Sequence, residues 1–203
     1  MIQGLVTKVY SDFYKVKIQN EYINCNARGI FKREKLKPLV GDIVEINDQG
    51  VICKIHQRKN EFIRPPISNI DQMIIVVSTT NPNPDLYLLD KLLVVGCKND
   101  IKTVICINKI DLKDEYGDIL NTYQNIGYQV ITTDAKNGVG VDKLAILLQN
   151  KITCFAGNSG VGKSALTNNI FKENISAEGI VSEKIEKGKH TTKFVELYEV
   201  AKD

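Results

Sequence analysis

The stretch Gly157-Asn158-Ser159-Gly160-Val161-Gly162-Lys163-Ser164 carries the pattern GxxxxGK[ST], whose chemistry is phosphate binding. Its glycines let successive backbone N–H groups curl around an anion with no Cβ in the way. A helix that opens at Lys163 and continues through Ala165 presents its positive N-terminus to the same anion. Lys163 would reach the outer phosphates of a nucleotide, and the Ser164 hydroxyl would bind Mg2+. A second set, Asn108-Lys109-Ile110-Asp111, suits a purine base. Guanine offers its ring N1–H and exocyclic amine side by side, and the Asp111 carboxylate can accept both as a charge-assisted pair. Adenine has no N1–H there, so an acceptor would stay unpaired, a strong basis for rejection. The stem of Lys109 can lie over the base, and Asn108 can tie the loop down.

These residues need rigid elements to hold them, and the chain supplies them from about residue 67 onwards. "QMIIVVS" (72–78) and "KTVICIN" (102–108) are continuous apolar runs suited to strands covered on both faces. "YQVITTD" (128–134) and "KITCFAG" (151–157) are two more. Helical spacing fills the intervals at 84–99, ending near Gly96, at 115–126, at 141–150 and from Lys163 to Phe171. Strands alternating with helices make a parallel sheet with crossover connections, and ligands bind at the carboxyl ends of its strands. Both chemical stretches stand there. So does Asp134-Ala135-Lys136, which resembles the Ser-Ala-Lys loop of GTPases, where the backbone N–H at the Ala position donates to the guanine carbonyl. Asp134 replaces the usual Ser, Lys136 can pack on the base, and a plain surface turn explains the tripeptide equally well.

Residues 1–66 read in twos instead. "LVTKVY", "FYKVKI", "YINCNA", "DIVEI" and "GVICKI" are short, alternating, and separated by turn residues. Five such strands fit a small closed barrel of the OB type. An SH3-like barrel has the same strand count, so topology stays open at this level. Two prolines in "RPPISN" (64–69) mark a linker and the domain boundary, dividing 1–66 from 67–203. Charge divides at the same place: the net +3 is +5 over residues 1–66 (12 Lys/Arg, 7 Asp/Glu) and −2 beyond. A basic module beside a nucleotide site suggests a nucleic-acid partner. Arg28, Lys32, Arg33 and Lys35, with Lys37 and Phe31 among them, combine phosphate contact with base stacking. No run of about 18 apolar residues appears, which argues against a membrane-spanning helix. The five cysteines have no CxxC or zinc-ligand spacing and read as reduced, buried thiols of a cytoplasmic protein, which is separately expected to be a monomer.

The base-reading stretches precede the phosphate loop, the reverse of their order in Ras-like chains. That permuted order, the barrel with "ARGIFKREKLKPLVGD" (27–42) and "GKHTT" (188–192) resemble the ribosome small-subunit-dependent GTPase A family over the whole chain. The resemblance implies an OB domain, a circularly permuted GTPase domain, GTP/GDP and Mg2+ as ligands, and GTP hydrolysis stimulated by the small ribosomal subunit (30S) and its rRNA during late assembly. It implies a mobile switch over 172–193, in which Thr191 or Thr192 serves Mg2+ and the γ-phosphate and His190 serves hydrolysis. Family members continue into a DTPG strand and a zinc-binding C-terminal domain. Asp203 precedes both, and on that resemblance the chain is expected to be a truncated product with little or no turnover. The alternatives are a GTP/GDP-binding RNA or ribosome module without turnover, and an ATP-using P-loop enzyme, against which Asp111 argues.

Overall fold

In the computed structural model, which describes residues 1–11, 13–29, 31, 36–63, 65–113, 115–172, 177–184 and 194–200, the alternating segments at the start of the chain close into a ring. They are β1 (Ile2–Val9), β2 (Tyr14–Ile18), β3 (Glu21–Ala27), β4 (Ile43–Ile46) and β5 (Val51–Ile55). β1 pairs antiparallel with β2 and with β4, β2 with β3, and β4 with β5, while β3 and β5 run parallel. The order 1-2-3-5-4, closed by β4 on β1, is the OB arrangement. It excludes the SH3-like alternative, and closure leaves the ring without free edges.

Period-two alternation sends Val6, Val16, Cys25, Val44, Ile46 and Ile52 into the ring. Phe31 joins them at 6% exposure. The sequence expectation that Phe31 stacks on a base is therefore overturned. Filling a core with its ring is worth about 1.5–3 kcal/mol over leaving it in water.

The stretch expected to be a linker folds onto this barrel. β6 (Glu61–Phe62) and β7 (Ile67–Ser68) pair antiparallel, and Val40 bridges Ile67. Fully buried Asp42 accepts from Arg58 Nε (2.8 Å) and Nη2 (2.7 Å), from Ser68 Oγ (2.6 Å) and from Leu39 N–H (2.7 Å). The hydrogen bonds to Asp42 raise the Arg58 pKa above its ordinary value, against the opposing pull of burial. The first unit accordingly runs through Met1–Ile70 and takes in Val181–Tyr198. Two further strands are β12 (Ala177–Lys184) and β13 (Phe194–Val200), the latter antiparallel to β1 with Lys8 opposite Glu196.

The second unit, Asp71–Ile180 with Glu199–Asp203, is the parallel sheet. Its elements are β8 (Gln72–Ser78), α1 (Leu86–Lys98), β9 (Lys102–Asn108), α2 (Gly117–Asn125), β10 (Gln129–Thr133), α3 (Val141–Leu148), β11 (Thr153–Ala156) and α4 (Lys163–Lys172). Strands β10, β9, β8 and β11 lie in that order, all parallel. All seven residues of β8 are buried, as its unbroken apolar run requires. The chain winds from β8 to β9 to β10 in one direction and returns to β11 on the other side of β8, so the order reverses there. Such a switch point is where open sheets of this kind bind ligands.

Helix α1 ends at Lys98, two residues beyond Gly96, close to the expected end. Gly96 is buried, and a Cβ on it would lie 3.0 Å from Thr103 Cγ2, so the glycine serves close packing on β9 rather than a cap. Of the five thiols, Cys25, Cys106 and Cys154 are buried, Cys53 is half-buried and Cys97 is exposed on α1, so uniform burial was too simple an expectation. No helix among the described residues is long and apolar enough to cross a membrane.

Candidate nucleotide site

Three loops leave the carboxyl ends of β9, β10 and β11, and one side chain joins them. Asn108, the last residue of β9, is 1% exposed. Its Nδ2 donates to the Val161 carbonyl in the phosphate loop (2.9 Å). Its Oδ1 accepts from Thr133 Oγ1 (3.0 Å) and from the Ala135 N–H (3.1 Å). A buried amide with both ends satisfied fixes the three loops relative to one another.

The phosphate loop is shaped to receive that amide. Gly162 has φ +103°, and a Cβ there would fall 2.1 Å from Asn108 Nδ2. Gly157 has φ +133°, and a Cβ there would fall 2.2 Å from the Val76 carbonyl of β8. Both positions need glycine for conformation and for space. Lys163 Nζ donates to the carbonyls of Gly157 and Asn158, each at 2.8 Å, and so sits across the mouth of the loop. Ser159, Gly160, Ser164 and Ala165 are exposed around it. Positive-φ glycines, a helix N-terminus and a lysine folded over them form a cradle that fits the phosphates of a nucleotide, and the exposed Ser164 hydroxyl fits a Mg2+ ligand.

In the base loop Lys109 takes a left-handed φ of +64°. Its carbonyl accepts from Thr79 Oγ1 (2.6 Å) and its Nζ donates to the Asn81 carbonyl. Asp111 is exposed and makes no hydrogen bond among the described residues, so its carboxylate is accessible to a ligand. Asp134 behaves differently. It is 4% exposed, and its carboxylate accepts from the N–H groups of Lys136 (2.9 Å) and Asn137 (3.1 Å) and from the Asn137 amide. Burial pushes its pKa up, but the hydrogen bonds from Asn137 and Lys136, with the Lys136 charge, outweigh it and leave the pKa below the usual carboxylate value. Asp134 thus spends its oxygens closing its own turn. Lys136 is exposed. The Ala135 N–H, expected to face a guanine carbonyl, is here paired with Asn108. Beneath the loops, burial pushes the Cys106 thiol up to about 12, against a contact from Thr133, so it stays protonated and is no nucleophile.

The family profile described as RsgA GTPase matches residues 55–203, and the RsgA N-terminal domain matches residues 3–52. The chain belongs to the RsgA GTPase family. Similar proteins include the small ribosomal subunit biogenesis GTPase RsgA of Alkaliphilus metalliredigens, 43% identical over 97% of this chain and 70% of that one. The protein of the same name from Clostridium acetobutylicum is 45% identical over 98% and 71%. Among solved structures, YjeQ from Thermotoga maritima superposes with a TM-score of 0.76 at 34% identity, covering 98% of this chain and 73% of that one. YloQ, a circularly permuted GTPase, superposes with a TM-score of 0.71 at 41% identity, covering 85% and 65%. Membership makes this an enzyme of the GTPase class, with GTP or GDP and Mg2+ as its implied ligands.

Within this RsgA-family fold several site residues escaped the sequence reading. Asp85 caps α1 by accepting from Leu88 N–H (2.9 Å) and also accepts from Asn158 Nδ2 of the phosphate loop (3.1 Å). The hydrogen bond from Leu88, then that from Asn158, lowers its pKa. "NPNPD" ahead of a helix signals the cap, but nothing in it signals the second contact. Thr79, Thr133 and Asn169 were missed too. They are ordinary polar residues whose partners lie 25 to 34 positions away. His190, Thr191 and Thr192 lie outside the described residues, as do Lys32, Arg33 and Lys35. Arg28 is described and exposed. Of the expected switch at 172–193, residues 177–184 form β12.

Proposed function

We propose that this protein binds GTP and GDP at the three joined loops, hydrolyses GTP, and acts in biogenesis of the small ribosomal subunit. The observation that carries the reading is the Asn108 amide, which gathers NKID, DAK and the phosphate loop at one switch point. In this reading Asp111 accepts the guanine N1–H and amine, and Lys109 and Lys136 flank the base. The Ala135 N–H serves the base carbonyl in a bond shared with Asn108. Backbone N–H groups from Asn158 to Ala165 hold the β- and γ-phosphates. Lys163 moves from the Gly157 and Asn158 carbonyls onto the outer phosphates. Ser164, with Thr191 or Thr192, holds Mg2+, which when bound neutralises charge building on the transferring phosphoryl group. His190 serves hydrolysis.

The basic residues of the first 66, with Arg28, Lys32, Arg33 and Lys35, supply affinity for rRNA in the same reading. The small subunit is taken from the names of the relatives and from the +5 charge of residues 1–66. The decisive measurement is competition for bound fluorescent GDP. GTP and GDP are expected to displace it and ATP to fail, and Asp111→Asn is expected to shift preference towards xanthosine nucleotides by about a hundredfold or more. ATP competing on equal terms would sink the guanine assignment. Single-turnover hydrolysis that small subunits leave unchanged would sink the assembly role.

A further inference from the structure

Ala135 is held from both sides, and one of the holds has no place in the site as assigned so far. The residue is 6% exposed. Its N–H donates to Asn108 Oδ1 (3.1 Å), and its carbonyl accepts from Asn169 Nδ2. Asn169 lies on α4, the helix that opens at Lys163, so it ties the base loop directly to the element bearing the phosphate-binding residues. Three other N–H groups of the turn are committed within it. Those of Lys136 and Asn137 go to the Asp134 carboxylate, and that of Asp134 goes to the Val139 carbonyl. Of these donors the Ala135 N–H alone bonds outside the turn, to Asn108 Oδ1, which also takes the Thr133 hydroxyl. It is therefore the donor in this turn that a ligand carbonyl can recruit. The direction in which it points is set by the Ala135 peptide planes, pinned at the following carbonyl by Asn169.

From this we infer that Asn169 is a specificity-positioning residue, aiming the Ala135 N–H at the 6-carbonyl of a guanine nucleotide. The inference rests on the guanine reading above. Asn169 does not touch the base. It acts through the carbonyl it holds, so its loss should be felt in proportion to how well the ligand accepts at that one atom.

The experiment compares GDP with 6-thio-GDP, which keeps the N1–H and amine but offers sulfur, a weak acceptor, in place of the 6-oxygen. Asn169→Asp keeps size and shape while replacing the donor with an acceptor that faces the Ala135 carbonyl. GDP affinity should fall about tenfold, the scale of one lost hydrogen bond with added repulsion, and 6-thio-GDP affinity less than about threefold. Asn169→Ala, which adds no charge, should give the same pattern and stands in should the aspartate variant fail to fold. An equal fall for both ligands would overturn the inference, since Asn169 would then act through the fold at large. So would no fall for either, or a natural protein that binds both ligands equally. A natural protein that prefers ADP to GDP would instead overturn the guanine reading itself.

Discussion

The barrel and the parallel sheet bury polar groups in different places. In the barrel the buried Asp42 and Ser68 stand where the ring ends and the 56–70 segment folds back, and their partners are Arg58, Leu39 and one another. In the sheet, Ser78, Thr79, Asn108, Thr133 and Asp134 cluster at the carboxyl ends of the strands, while Gln72 donates to Thr153 at the opposite ends of β8 and β11. The first group closes a structure and the second builds a site. A buried polar side chain costs several kcal/mol unless it is paired, so both groups are fully engaged, and burial alone does not distinguish them. Position in the topology does.

The largest test of that contrast lies in the barrel. Asp42→Ala leaves the Arg58 guanidinium, 13% exposed in its side chain, without its main partner. Stability should fall by about 3–5 kcal/mol, read by chemical denaturation. GDP affinity of the protein that remains folded should not change. A large loss of nucleotide affinity at unchanged stability would erase the distinction between closure and site. The converse is Asn108→Ala, which removes three hydrogen bonds worth about 1 kcal/mol each. GDP affinity should fall about a hundredfold, measured by titration calorimetry. If affinity held, the three loops would not depend on that amide for their alignment.

A smaller effect sharpens the electrostatic side of the comparison. Reversing the charge at Arg28, Lys32 and Arg33 should weaken small-subunit binding about tenfold at low salt. It should also flatten the salt dependence by about one unit of slope for each phosphate no longer neutralised. Guanine nucleotide binding should be untouched. Unchanged subunit affinity would move the nucleic-acid surface elsewhere on the barrel.

The smallest effect concerns pH. The Asp134 pKa is lowered in the folded protein. Its contribution is therefore complete above the unfolded value of about 3.9 and is lost as pH falls through the folded value. Melting midpoints of the natural protein and Asp134→Asn should differ modestly at neutral pH and converge in acid. Curves that stayed parallel would show that the ionised carboxylate contributes nothing to the turn.

Strands β8 and β9 were legible to the residue, because a strand covered on both faces must be apolar throughout and both ends are marked by polar residues. The five barrel strands were legible from alternation, but not their order, which depends on a parallel pairing between β3 and β5 that alternation does not encode. Phe31 misled because its neighbours are basic, and neighbours in sequence say little about which way one ring turns. Gly96 marked the end of α1 to within two residues, but its close packing on Thr103 was not legible, because a glycine needed for packing looks the same as one that ends a helix. In the phosphate loop, Gly157, Gly162 and Lys163 were legible as one turn because such a turn demands those residue types at fixed spacing. Thr133, Asn169 and Asp85 were not, since any short polar side chain could stand there and only the assembled sheet brings their partners within reach.

The bracket at Asn108 also has a history within each molecule as it is made. Domains tend to fold as the chain emerges, N-terminal parts first. The two acceptor contacts of Asn108 are to Thr133 and Ala135, and its one donor contact is to Val161. A nascent chain grown past residue 135 already has what it needs to set the base-reading loops against each other. The amide donor waits for the phosphate loop, which arrives some 26 residues later in the sequence. In a Ras-like order the phosphate loop would be made first and would wait for everything else. Here translation delivers the loops proposed to choose the nucleotide before the loop proposed to grip it.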